Sequence, residues 1–338
     1  MRITSSSCAR EGGSRELGRR VARLRRRARA DRQVERRPLP GAPPIETEGL
    51  CKSYGDKQAL LNLDLALRSG EVFGFIGPNG AGKTTTIRIL MDLIRPSSGC
   101  ARVLGVEPRA GGVELRRRIG YLPGELALYE ELTPRRLLAH LSALRAGAGQ
   151  RSIEPLAKRL SLELDRPIRT LSRGNKQKVG LVQALMHEPE LLILDEPTSG
   201  VDPLVQHELH ALLSEARERG QTVLISSHVL SEIERIADRI GIIRDGQLVV
   251  VDDMGALKAR TARQVEIHFS GRVPPSAFEG LPGVREARFE GDAARFVVIG
   301  PIDALVKAAA RFEVLTMTSR EPDLEELFLT IYASGQRA

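Results

Sequence analysis

Between residues 45 and 258, short apolar runs alternate with stretches whose apolar residues recur every three or four positions. That is the pattern of strands and helices following one another. Residues 72–76 (Val-Phe-Gly-Phe-Ile) form a run continuous enough for a strand buried on both faces, and a Gly-rich turn leads from it into a helix over 83–93. Residues 191–194 predict another buried strand and 222–225 the next. Between them Asp202 and Pro203 have the character of a helix N-cap and first helical position, with Gly220 just past the helix end. Asp245-Gly246, set between two alternating runs, signals a tight hairpin. Residues from about 130 to 170 are mostly helical in pattern and interrupt the alternation. Strands alternating with helices predict an α/β core.

A second unit follows. Residues 264–269, 284–289 and 296–299 read as strands, 302–310 as a helix and 312–317 as extended chain. Leu324, Leu327, Phe328 and Ile331 mark a final amphipathic helix. The expectation is a small C-terminal α+β accessory domain of βαβ type over 264–334. The principal domain then spans 44–260, with a helical subdomain at about 125–185.

Composition adjusts this picture at the N-terminal end. The chain of 338 residues is 41% hydrophobic and 28% charged, ordinary for a globular protein, and its formal charge is +8. Residues 1–40 hold 13 Arg and 4 acidic residues, a net of +9, which leaves −1 for the remainder. The folded body is therefore near neutral, and overall basicity is poor evidence for nucleic-acid binding. Residues 1–43 read as an Arg-rich disordered leader closing on Pro38, Pro40, Pro43 and Pro44. The other reading of that segment is a basic amphipathic helix on an anionic membrane surface, from Leu17, Val21, Leu24 and Ala28 at helical spacing. Cys8, Cys51 and Cys100 are widely spaced with no Cys-x-x-Cys, which fits a reducing cytoplasm and neither a disulfide framework nor a zinc site. No apolar run approaches the roughly 18 to 20 residues that span a bilayer.

The strongest chemical signal is Gly77-Pro78-Asn79-Gly80-Ala81-Gly82-Lys83-Thr84, a Gly-x-x-x-x-Gly-Lys-Thr loop between a predicted strand and a predicted helix. Glycines let the backbone wrap a triphosphate closely, and the helix N-terminus then faces the phosphates. Lys83 neutralises phosphate charge and the Thr84 hydroxyl can ligate Mg²⁺. The nucleotide-binding set is residues 77 to 84 together with Thr85. A second signal is the apolar run 191–194 followed by Asp195 and Glu196, two carboxylates at the edge where α/β sheets bind ligands. Asp195 is assigned to Mg²⁺ and Glu196 to orienting and polarising the attacking water.

With Leu171-Ser172-Arg173-Gly174-Asn175-Lys176-Gln177 between those two, and Ser199-Gly200-Val201-Asp202 and Ser226-Ser227-His228 after them, the ordered set resembles the ATP-binding cassette (ABC) ATPases over about 45–258. The resemblance implies a P-loop NTPase core, ATP and Mg²⁺ as ligands, and a membrane permease and a second ATPase subunit as partners. It also implies a cytoplasmic chain, peripheral on the inner face of the cell membrane, with no specific nucleic-acid partner. By residue, it implies that Ser172 and Gly174 close over the γ-phosphate of an opposite subunit and that His228 contacts the γ-phosphate and orients the Glu196 water. It further implies that Tyr54 stacks on adenine. His207 and His210, three apart on a predicted helix, have no third ligand in sequence reach and read as surface residues rather than a metal pair.

Two departures stand out. Arg173 and Asn175 occupy positions three and five of a segment that reads Leu-Ser-Gly-Gly-Gln in the family, and two readings of Arg173 remain open: added charge near the γ-phosphate, or a side chain in solvent. Gly124, followed by Glu125, stands where the family has a Gln that senses Mg²⁺ and the membrane partner, and Glu125 is expected to substitute. These departures and the tail 321–328 resemble the exporter branch linked to drug and antibiotic efflux. The alternative is a soluble cassette ATPase acting on ribosomes or nucleic acid; such relatives usually carry two cassettes in one chain, or long coiled-coil insertions, and this sequence has neither.

Overall fold

A computed structural model describes residues 41–260 and 262–320. In chain order, β1 (Ile45–Tyr54) and β2 (Lys57–Ala66) form a hairpin, followed by β3 (Val72–Ile76), α1 (Lys83–Leu90), β4 (Ser98–Val103), α2 (Pro108–Arg117) and β5 (Ile119–Leu122). Helices α3 (Pro134–Leu144), α4 (Ile153–Arg159) and α5 (Arg173–Leu185) come next, then β6 (Leu191–Asp195), α6 (Pro203–Glu218), β7 (Thr222–Ser227), α7 (Leu230–Ile233), β8 (Arg239–Arg244), β9 (Gln247–Asp253) and α8 (Met254–Arg260). The remainder is β10 (Ala262–Phe269), β11 (Val284–Glu290), β12 (Ala293–Ile299), α9 (Asp303–Ala309) and β13 (Val314–Arg320).

The central sheet runs β5-β6-β7-β3-β8-β9, parallel except for β9. Its middle strands bury both faces, which is why they read as unbroken apolar runs. Alternation along β6 divides the burial: Leu192 and Leu194 pack with α5 and α6 in one core, Leu191 and Ile193 with α1 in another. The second core is closed by the antiparallel sheet β2-β1-β4. Each fully buried Leu or Ile contributes about 1.5–3 kcal/mol, so the ends of β3, β6 and β7 are rigidly seated.

Differences from the predicted elements have local causes. Helix α1 stops at Leu90 rather than 93, because Asp92 takes a left-handed φ of 55° and the Arg88 carbonyl accepts instead from Leu93 N at 2.9 Å. Asp202 caps α6, its carboxylate accepting from Val205 N at 3.0 Å, and Pro203 opens the helix. The β8–β9 turn is Asp245-Gly246 with φ of 47° and 78°, as a two-residue hairpin of this hand requires.

Strands β10 to β13 make a separate sheet ordered β11-β12-β10-β13, every neighbouring pair antiparallel. The parallel strands of its β12–α9–β13 crossover are not neighbours, since β10 lies between them. This is the split βαβ connectivity, with a 3₁₀ turn at Pro275–Phe278 where a first helix would stand. Phe278 centres its core, with ring centroids 5.1–5.9 Å from those of Phe269, Phe289, Phe296 and Phe312. Extended chain begins at Val314, two residues later than expected, because Phe312 turns inward to that cluster. The leader at 1–40 and the helix expected over 324–331 lie outside the described residues.

His187, just past α5, donates from Nε2 to the Ile119 carbonyl at 3.2 Å while its Nδ1 is buried without a partner. Burial, helped by the charge of Arg145, lowers its pKa to about 4. An unfolded chain, with His near 6.5, takes up a proton that the folded chain refuses. Stability should therefore fall as pH drops from 6.5 towards 4, with no contribution above 6.5. Urea midpoints measured at pH 7.5 and pH 5 should differ less for His187→Gln than for the parent chain; equal differences would show that His187 is not the group responsible.

Candidate active site

The phosphate loop leaves β3 at Gly77, where any side chain would collide with the main chain of β8: a Cβ there would lie 2.4 Å from the Ile243 carbonyl oxygen. Gly82 closes the loop at φ 115°, a conformation that L side chains rarely adopt. Helix α1 then starts at Lys83 with no side-chain cap and no acidic residue in its first turn. Its first amide groups and its dipole are thus directed at whatever anion the loop holds. Thr84 and Thr85 are partly exposed in that first turn.

Lys83 is almost fully buried. Its Nζ donates to the carbonyls of Gly77 (2.5 Å) and Pro78 (3.3 Å) and stands 3.3 Å from Glu196 Oε1. That carboxylate oxygen has no aligned hydrogen bond, so the Lys83 contact is ionic rather than directional. The other oxygen, Oε2, is 2.7 Å from His228 Nδ1, which donates to it. Lys83, Glu196 and His228 therefore converge from the ends of three adjacent strands: β3, β6 and β7.

Strand register explains the convergence. Asp195 pairs with Ser226, and Ser226 with Phe75, in one row across the sheet. Ser226 Oγ donates to Asp195 Oδ1 at 2.5 Å and accepts from Glu196 N at 3.0 Å. Asp195 is fully buried and its Oδ2 has no partner. A buried carboxylate oxygen without a donor suits a cation, and the Thr84 hydroxyl in the first turn of α1 suits the same ion. The residues thus fit Mg²⁺. Tyr121, at the end of β5, feels this carboxylate: burial first and Asp195 second push its phenol up to about 12.

Glu196 adopts φ 50°, a left-handed conformation costing about 1–3 kcal/mol for such a residue. Its main chain is held on both sides. The amide donates to Ser226, and the carbonyl accepts from Ser199 N (3.2 Å) and from the buried Gln177 Nε2 (3.3 Å). Gln177 also reaches the Pro197 carbonyl at 3.4 Å.

Gln177 belongs to α5, which begins at the signature segment. Ser172 caps that helix, its Oγ accepting from Asn175 N at 3.3 Å. A Cβ on Gly174 would lie 2.6 Å from the Gly200 carbonyl oxygen, so the helix start rests on the 199–202 loop. Arg173 is exposed, as one of its two readings expected, and its Nη2 also donates to Ser199 Oγ at 3.1 Å, tying it to that same loop. Within the chain, Gly174 abuts this loop while the Ser172 hydroxyl is engaged as the cap of α5.

Tyr54 ends β1 48% exposed, with Lys52 Nζ 4.9 Å from its ring centroid. Gly124 lies at the metal end, where a Cβ would stand 3.2 Å from Asp195 Oδ2, while Glu125 is exposed. His210 is not a simple surface residue. Its Nε2 is buried and unpartnered, and burial lowers its pKa. His207 is exposed, and no group of three potential metal ligands forms among the described residues.

Sequence reading passed over the roles of Gln177, Ser226 and Tyr121. Two of these sit inside recognised segments, but nothing in a linear pattern shows which carbonyl or carboxylate a side chain will meet across the sheet.

The family model described as ABC transporter matches residues 60–199. The chain is 39% identical over 229 residues to the bacitracin transport ATP-binding protein BcrA of Bacillus licheniformis, covering 67% of this chain and 75% of that one. It is 31% identical over 305 residues to the linearmycin resistance ATP-binding protein LnrL of Bacillus subtilis, covering 85% and 97%. Among solved structures, the ATP-binding subunit of an ABC transporter superposes with a TM-score of 0.60 at 32% identity, over 63% of this chain and 91% of that one. A dimeric ATP-binding cassette bound to ADP and Pi gives 0.55 over 62% and 98%; at 24% identity that likeness concerns the fold alone.

Replacing Ser226 by Ala orphans the buried Asp195 Oδ1 and leaves the Glu196 amide only its 3.2 Å bond to the Ser226 carbonyl. Leaving buried polar groups unpaired should cost about 1–3 kcal/mol of stability, and the Mg²⁺ concentration giving half-maximal ATPase rate should rise. Unchanged unfolding midpoint and unchanged Mg²⁺ dependence would show that the Ser226 bridge carries neither load.

Proposed function

The chain belongs to the family of ABC transporter ATP-binding proteins, and from that membership we propose that its ATP hydrolysis powers export of a cargo through a separate membrane permease. The observation that carries the reading is the Lys83–Glu196–His228 convergence, with Glu196 3.3 Å from the phosphate-loop lysine and 2.7 Å from the histidine. Membership of the family makes the chain an ATPase. Support for export comes from relatives named for bacitracin transport and linearmycin resistance. The LnrL match, at 85% of the chain, is too long to end with the cassette and extends into the C-terminal unit. A separate permease is in keeping with the helices, none of which is long and apolar enough to cross a membrane among the described residues.

In the proposed reaction the triphosphate lies in the 77–84 loop, its charge met by backbone amides and by Lys83. Adenine stacks on Tyr54. Asp195 and the Thr84 hydroxyl hold Mg²⁺, which supplies charge neutralisation to the phosphates. Glu196 polarises the attacking water and takes its proton as the water oxygen bonds to the γ-phosphorus and the bond to ADP breaks. His228 holds the Glu196 carboxylate in line. Ser172 and Gly174 complete the site of a second copy, so two chains close around two nucleotides. ATP binds the closed pair preferentially and thereby shifts the permease between conformations. Glu125 substitutes for the glutamine of the loop that faces Mg²⁺ and the permease.

Glu196→Gln should lower hydrolysis about 10²–10⁴-fold while ATP binding persists, whereas Lys83→Ala should weaken binding itself. Full hydrolysis by the Glu196→Gln chain would remove Glu196 from the mechanism. Tagged Glu196→Gln chain extracted from membranes in ATP and Mg²⁺ should carry a polytopic membrane protein in stoichiometric amount. Ribosomes, nucleic acid or a soluble dimer alone would overturn the export reading and leave the ATPase standing.

A further inference from the structure

The carboxylate of Glu232, on the short helix α7, joins the two loops that carry the reacting pair. Its Oε2 accepts from Thr198 Oγ1 at 2.6 Å and from Ser227 Oγ at 3.0 Å. Thr198 stands two residues after Glu196, and Ser227 immediately before His228. Both are buried, at 5% and 1% exposure, so neither hydroxyl has water as an alternative acceptor.

The bonds extend into the main chain on either side. Ser227 Oγ also accepts from Val229 N at 3.0 Å, which places the residues before and after His228 under the same carboxylate. On the other loop, Thr198 O accepts from Val201 N (3.3 Å), and Ser199 N donates to Glu196 O (3.2 Å), so fixing Thr198 fixes the turn that begins at Glu196. That turn starts from the left-handed φ of Glu196, a conformation that persists only where its surroundings over-determine it. His228 is half exposed and meets Glu196 through one hydrogen bond, so little else holds its ring.

We propose that Glu232 is a positioning residue for ATP hydrolysis, which ties Thr198 and Ser227 together so that His228 meets the Glu196 carboxylate. It touches neither phosphate nor water in this scheme. Two hydroxyl donors on one carboxylate oxygen form charge-assisted bonds, stronger than neutral ones and short enough to set a loop-to-loop distance. Loosening that distance by about an ångström is enough to cost up to 10²-fold in rate. The inference rests on Glu196 and His228 acting on the attacking water.

The test is basal ATP turnover and ATP binding of the full-length chain, in a cycle of Glu232→Ala, His228→Ala and the double variant, with Glu232→Gln as the conservative replacement. Glu232→Ala should lower kcat about 10–100-fold and leave the ATP dissociation constant within about twofold of the parent value. The amide oxygen of Glu232→Gln can still accept both hydroxyls and should restore most of the rate. In the His228→Ala background, removing Glu232 should add little, because the contact it positions is already gone. Unchanged kcat in Glu232→Ala would overturn the proposal, as would the same fold-loss in both backgrounds, or a loss of ATP binding equal to the loss of rate. Failure of the underlying reading shows elsewhere in the same data: Glu196→Gln or His228→Ala would then keep parental turnover.

Discussion

Asp195 is a carboxylate with no solvent exposure, and the rest of the site is organised around it. Moving an ion into a protein interior costs several kcal/mol unless hydrogen bonds and counter-charge offset it. One oxygen has the Ser226 hydroxyl at 2.5 Å; the other has nothing. The unpaired oxygen suits a cation beside it, and a glycine at 124 leaves room along that side. Ser226 meets Asp195 because β6 and β7 run parallel in a fixed register. A slip of one strand by one residue would turn its side chain to the opposite face and separate the pair. That register is enforced by burial: Leu191 to Leu194 and Val223 to Ile225 are committed alternately to two different cores.

Glu196 follows from the same edge. The strand ends at Asp195, and the left-handed turn after it swings the next carboxylate across the sheet towards Lys83 and His228. Strain at such a residue is common where geometry serves chemistry. Here it is held by hydrogen bonds from three directions: its amide donates to Ser226, and its carbonyl accepts from Gln177 of α5 and from Ser199 of its own turn.

Helix α5 joins two functions that are distant in sequence. Its first turn carries Ser172 and Gly174, and Gln177 one turn later holds the Glu196 and Pro197 carbonyls. Arg173 and Gly174 press on the Ser199–Gly200 backbone and side chains from the same helix start. A displacement of that helix start is therefore felt at the Glu196 carbonyl through packed and hydrogen-bonded neighbours. Arg173, where the family has glycine, adds a tether at this junction.

Read alone, the sequence determined the elements and the order of the chemistry. Continuous apolar runs marked β3, β6 and β7 because a strand buried on both faces has no polar side to show. The Gly-Lys-Thr loop, the paired carboxylates and the Asp202-Pro203 cap were legible because each is a local requirement of backbone conformation or charge, met within a few residues. Split strand pairing in the C-terminal sheet was not legible, since an alternating pattern says which face is buried and nothing about which strand lies next to it. Nor was the end of α1 at Leu90, which a left-handed Asp92 decides. The roles of Gln177, Ser226, Tyr121 and Arg173 belong wholly to the tertiary structure. Each depends on contacts across 19 to 74 residues of chain, such as Gln177 to the Glu196 carbonyl and Tyr121 to Asp195. Only the packing of helices on the sheet and the register of its strands bring such groups within hydrogen-bonding or Coulombic reach.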